Sequence, residues 1–167
     1  MLNTFSAWFN GGVELGRTGN DHPSAAPYGV FEVDDGYILI ATFNDREFAR
    51  LAKVLGRSEW ANDDRYATMG ARVANREALK LLVTEALKGK TKDEWVRVMN
   101  DGKVSCGPIN EMADLVQDPQ VQARSLVVEQ QHPVTGTVYS AASPMRFSQS
   151  PVTYRTAPPL IGAVSYT

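Results

Sequence analysis

Few side chains in this chain have the type and spacing for chemistry. His22 stands beside Asp21 in "GNDHPSAAPYG", where it is an acid or base near neutral pH, or a solvated loop residue making a local hydrogen bond. Without a partnered network around it, the second reading carries more weight. His132 precedes Pro133 at an expected turn, with no second His or Cys at ligand spacing, so no metal site is expected. Cys106 is the single cysteine, in an apolar extended stretch before Gly107-Pro108. It is a nucleophile only if a base adjoins it, and a small core residue otherwise, the more common case. Asp34-Asp35 and the "NDDR" at 62–65 pair acids, but turn formation and solvation explain both. No phosphate-cradling glycine loop and no nucleophile elbow is found. No catalytic residue is assigned.

The elements that must carry these residues follow from local pattern. Residues 2–13 suggest a short helix presenting Leu2, Phe5, Trp8 and Phe9, an aromatic stripe that calls for a partner surface. The Gly/Pro-rich loop leads into a hairpin whose turn is read at Asp35-Gly36. Its second strand, Tyr37 to Ala41, is continuously apolar and reads as buried on both faces. Asn44 with Glu47 begins a helix with Phe48, Leu51, Ala52 and Leu55 on one face and Gly56 past its end. The stretch "SEWANDDRYAT" reads as one helical turn and a polar loop.

A helix is predicted over Asn75 to Lys88, burying Leu79, Leu82, Val83, Ala86 and Leu87. Thr91 with Glu94 marks the start of the next, with Trp95, Val98 and Met99 inward and Gly102 at its end. "VSCGPIN" is extended. Asn110 is read as the cap of a short helix to Val116, and Asp118-Pro119 begins another. A second hairpin turns around Pro133–Gly136, and the tail from Ser148 reads as an extended arm. Helices and strands do not alternate regularly, which favours α+β.

Composition excludes several classes. A net charge of −2 and a pI near 5.7 do not suit a nucleic-acid surface. No apolar run approaches a membrane span, and the first residues lack a signal-peptide pattern, so a cytoplasmic setting is expected.

Four stretches, in order, carry a resemblance: "GNDHPSAAPYGVFEVDDGYILIA", "LAKVLGRSEWANDDRYATMGARVANREAL", "TKDEWVRVMNDGKVSCGPINEMADLVQDPQVQAR" and "HPVTGTVYSAASPMRFSQSPVTYRTAPPLIG". Together they resemble the C-terminal half of family III CoA-transferases, which include formyl-CoA transferase, carnitine CoA-transferase and α-methylacyl-CoA racemase. The resemblance implies the small α+β domain of much longer chains, truncated here at both ends. It places an N-terminal helix and linker at 1–24, the small domain at 25–118, and a return segment with the second hairpin and extended tail at 119–167.

The family's aspartate nucleophile and most of its CoA surface belong to the other half, so none is carried over. The isolated chain is therefore expected to be inactive. Acyl-CoA or CoA is expected as a substrate only with a large domain present, and no tightly bound cofactor is expected. What the small domain contributes by resemblance is a loop covering the active site. Here Gly19, Asn20, His22, Ser24, Pro27, Tyr28 and Gly29 would form it. Formyl-CoA transferases have a run of glycines there, whereas Pro23 and Pro27 fix φ and make this loop less mobile. Expected partners are a second copy or a separately encoded large domain. The alternative is a non-catalytic, self-associating assembly module or a gene remnant.

Overall fold

The computed structural model describes residues 2–12, 14, 16–160 and 162, with no side-chain placement for residues 2–4. The chain divides into two compact units, Met1–Ile109 and Asn110–Thr167.

The first unit opens with α1 (Leu2–Gly11) and continues through β1 (Tyr28–Val33), β2 (Gly36–Ala41) and α2 (Asp45–Val54). A short 3-10 turn at Ser58–Asn62 precedes α3 (Met69–Ala74), α4 (Arg76–Ala86), α5 (Lys92–Asp101) and β3 (Ser105–Ile109). The strands form an antiparallel sheet in the order β1-β2-β3. This is the α+β arrangement expected from the sequence.

One face of the sheet builds the core. Phe31 and Val33 of β1 and Ile38 and Ile40 of β2 are buried, with Phe31 opposite Ile38. Helices cover them with Phe48, Leu51 and Ala52 of α2, Leu79 and Val83 of α4 with Leu87 at its C-cap, and Trp95 and Met99 of α5. Each large apolar side chain buried this way contributes roughly 1.5–3 kcal/mol, whereas a solvent-exposed ion pair such as Lys88–Glu85 is screened by water and adds little. Burial therefore decides the fold.

β2 is not buried on both faces. Tyr37 is exposed and Leu39 only partly covered, because helices pack against one side of the sheet alone. The hairpin turn lies at Asp34-Asp35, one residue earlier than expected. Gly36 opens β2 at φ 148°, a conformation other residues rarely adopt. The two aspartates also tie the hairpin down: Gly89 N–H donates to Asp34 Oδ1 at 2.9 Å, and Lys92 N–H to Asp35 Oδ1 at 2.7 Å. They anchor the α4–α5 connection.

The capping signals act as expected. Glu47 N–H donates to Asn44 Oδ1 at 2.9 Å, and Thr91 and Glu94 form a reciprocal capping box. The helix expected over Asn75 to Lys88 is α4, Arg76–Ala86 with Asn75 and Leu87 as its caps, and a further short helix, α3, precedes it and meets it at Asn75. Leu79, Val83 and Leu87 are buried, while Leu82 is exposed and Ala86 only partly covered. A helix lying on a single sheet buries a narrow i, i+4, i+8 stripe, which excludes Leu82. On α1, Phe5, Trp8 and Phe9 stay exposed, with Phe5 and Phe9 stacked at 5.6 Å between centroids. The side chain of Leu2 lies outside the described residues.

The second unit holds α6 (Met112–Gln117), α7 (Pro119–Ala123) and the antiparallel hairpin of β4 (Val127–His132) and β5 (Gly136–Ala141). Glu111, not Asn110, caps α6, because its N–H reaches Asp114 Oδ2 at 3.0 Å. Asp118 caps α7, accepting from the amides of Gln120 and Val121. No described residue of this unit is buried, and residues 142–160 form no helix or strand.

Among the described residues two buried side chains are not apolar, Thr42 and the charged Arg72. Its guanidinium is fully buried and donates to Ala26 O (2.8 Å), Tyr66 O (2.8 Å) and Asp45 Oδ1 (2.7 Å). Arg72→Met strands two carbonyls without their donor, which predicts a loss of about 3 kcal/mol in urea unfolding. Asp45→Asn keeps an acceptor at an exposed position and is expected to cost under about 1 kcal/mol.

Candidate functional site

The Gly19–Gly29 loop is the candidate site, and the surrounding elements settle its shape. Ordering each residue costs about 1–2 kcal/mol of backbone entropy, so such a loop is fixed only by specific opposing contacts. Three cations supply them. Arg72 of α3 holds Ala26 O. Arg76 at the start of α4 donates to His22 O at 2.5 Å and Pro23 O at 2.9 Å. Lys80, one turn later, contacts both carboxylate oxygens of Asp21 at 3.0 and 2.9 Å. From the sheet side, the Thr42 amide and hydroxyl both donate to Pro27 O, at 3.1 and 2.8 Å. The Ala26–Pro27 bond is cis. Ala25, Ala26, Pro27 and Gly29 are buried as a result.

The expected site residues divide into a face and its support. His22, Ser24 and Tyr28 come together. The His22 ring stacks on Tyr28 at 5.0 Å, and both meet Phe43 edge-on, at 5.5 and 5.0 Å. Ser24 N–H donates to His22 Nδ1 at 3.2 Å, and His22 N–H donates to Tyr28 O at 3.0 Å. Phe43 is exposed, so this ring cluster opens outward.

Pro27 and Gly29 lie beneath it. A Cβ at Gly29 would overlap Asp21 Oδ1, so only glycine lets the carboxylate sit there and meet Lys80. Gly19 (φ 59°) and Asn20 form the preceding turn, and Gly19 has open space around its Cβ position. Sequence reasoning did not single out Arg72, Arg76, Lys80, Thr42 or Phe43. The signal available was the spacing of the three cations at 72, 76 and 80.

The other candidates are structural. His132 Nδ1 accepts from the amides of Val134 and Thr135 and so holds the hairpin turn. Arg65 donates from its side chain to Asp63, the main cause of a lowered Asp63 pKa, so this carboxylate stays ionised. Cys106 faces Ile40 across the sheet and packs on the core; burial pushes its thiol up to about 11. Among the described residues no three His, Cys, Asp or Glu side chains converge as a metal site, and no helix is long and apolar enough to cross a membrane.

An α+β unit with one pinned Gly/Pro loop and a ring cluster beside it is the class of domain defined here. The chain belongs to CoA-transferase family III, whose family model matches residues 1–165. It is 37% identical over 147 residues to the succinate–glutarate CoA-transferase of Agrobacterium fabrum, covering 87% of this chain and 36% of that protein. It is 32% identical over 152 residues to the human succinyl-CoA:glutarate CoA-transferase, covering 91% and 35%. A CAIB/BAIF family protein from Brucella suis matches in three dimensions with a TM-score of 0.82 and 38% identity, over 94% of this chain and 40% of that one. The chain thus spans little more than a third of the length of these relatives.

Two outcomes are expected. Gly29→Ala displaces Asp21 from Lys80 and is expected to destabilise by about 1–3 kcal/mol, with a smaller cost when Asp21 is already Ala. A chemical-denaturation double-mutant cycle measures this coupling. For Cys106, alkylation at pH 8 is expected about 100-fold slower in the folded protein than in urea, because the thiolate is the reactive form and the thiol's ordinary value is 9.0. The folded state holds this proton more tightly, so the linked stability is present below about pH 9 and is lost as pH rises towards 11.

Proposed function

We propose that this chain is the small-domain part of a CoA-transferase that moves CoA between carboxylic acids, and that it acts only with a large domain. The observation carrying this reading is the family match over residues 1–165, joined to relatives of which the chain spans about a third. The named activities of those relatives, between succinate and glutarate, favour CoA transfer between dicarboxylic acids over racemisation.

In such a reaction a carboxylate attacks the acyl-CoA thioester, and covalent intermediates carry the CoA to the second acid. Its charged intermediates need a prepared surface. The large domain supplies the nucleophile and the CoA surface. This chain supplies one wall, the ring face of His22, Tyr28 and Phe43. The exposed Phe5, Trp8 and Phe9, and separately the second unit without buried residues, are surfaces for the large domain or a second copy to cover.

Exchanging this chain for the matching 147-residue segment of the Agrobacterium enzyme tests the reading. The folded chimaera is expected to transfer CoA from succinyl-CoA to glutarate, and the chain alone to transfer none. A folded chimaera that binds succinyl-CoA but transfers nothing would contradict it.

A further inference from the structure

Arg72, Arg76 and Lys80 lie four residues apart in sequence, Arg72 on α3 and Arg76 and Lys80 one turn apart on α4. Their targets run the opposite way along the loop: Ala26 O, then His22 O and Pro23 O, then the Asp21 carboxylate. Three cations, one on α3 and two on α4, therefore grip one short segment at three successive points.

The grips do different work. Arg72 also serves Tyr66 O and Asp45, so its loss disturbs the whole unit. Lys80 holds a side chain, seated in the space that Gly29 leaves. Arg76 places both of its hydrogen bonds on main-chain carbonyls, those of His22 and Pro23. Main-chain contacts fix where the His22 Cα sits and hence where its ring can lie. From there the ring reaches Tyr28 and Phe43 at 5.0 and 5.5 Å.

We propose that Arg76 is a positioning residue: through the His22 and Pro23 carbonyls it holds the His22, Tyr28 and Phe43 rings as a preformed wall, so that the loop does not order anew when substrate binds. A wall already in place spares the bound complex the entropy of ordering it, so weakening the clamp shows in substrate affinity. The substrate consequence rests on the functional reading above; the clamp itself is measurable in the isolated chain.

The chain has two histidines, which makes the measurement direct. His132, at the β4–β5 turn in the other unit, is an internal control. In proton NMR, His22 ring resonances carry ring-current shifts from Tyr28 and Phe43, and Phe43→Leu assigns them. Arg76→Gln is expected to move the His22 resonances towards those of a free histidine. The His132 resonances and the buried Ile38 and Met99 methyl signals are expected to stay in place. Unmoved His22 resonances in the folded variant would overturn the proposal. Should Arg76→Gln fail to fold, Arg76→Lys, which keeps the charge but lacks the guanidinium fork that reaches both carbonyls, is read in the same way, with a smaller move expected and the same overturning result.

In the active chimaera, Arg76→Gln is expected to raise KM for the acceptor acid at least fivefold with kcat within twofold, whereas Lys88→Gln changes neither. A loosened His22 signal with an unchanged KM would overturn the positioning role and leave only a structural clamp. An inactive parent chimaera would count against the functional reading, while the NMR result still decides the clamp.

Discussion

The buried guanidinium of Arg72 is the contact on which the arrangement depends. A charge with no solvent access is tolerated only when every strong donor direction finds an acceptor. Here the acceptors come from three separate places: Ala26 before β1, Tyr66 before α3, and Asp45 at the start of α2. Its cationic carbon also lies 4.5 Å from the centre of the Phe48 ring, deep in the core. Satisfying one side chain therefore fixes the loop, the turn and the helix start together. The position of the ring cluster is a consequence of core packing rather than a property of the loop alone.

Much of this unit was legible from local pattern. The caps at Asn44 and Thr91 were read from side chains that satisfy backbone donors within three residues, which needs no tertiary knowledge. The stripe of Phe48, Leu51 and Ala52 was legible for the same reason. The two-sided burial of β2 was misread because an apolar run says nothing about how many layers cover it. The turn at Asp34-Asp35 was placed one residue late because the Asp-Gly signal ignores the strand register, in which Val33 opposes Gly36.

Arg72 itself was invisible to reading by hydropathy, which assigns an arginine to the surface. Its acceptors lie 6, 27 and 46 residues away along the chain. His22 was singled out by its residue type and again, with Tyr28, through resemblance. Phe43 was missed because it stands alone between β2 and α2, with no periodicity to flag it. The loop's composition showed stiffness in its two prolines but not the three cations beneath it.

The second unit differs in kind from the first. A two-stranded hairpin and two short helices with no described buried residue have little to hold them by themselves. Chains in this family that are about two and a half times as long offer further surface against which such a segment can be covered. The first unit, by contrast, has its own core from Phe31 to Val104. The contacts that pin its loop all come from within the unit itself.

Native-state hydrogen exchange on the isolated chain measures that most directly. The His22 amide, bonded to Tyr28 O, and the Thr42 amide, bonded to Pro27 O, report on the two ends of the pinned segment. A fixed wall predicts that both exchange as slowly as the amides of β2, through the same opening of the unit. Rapid exchange of these two amides while β2 stays protected would show a loop that moves independently of the core, and would contradict the account.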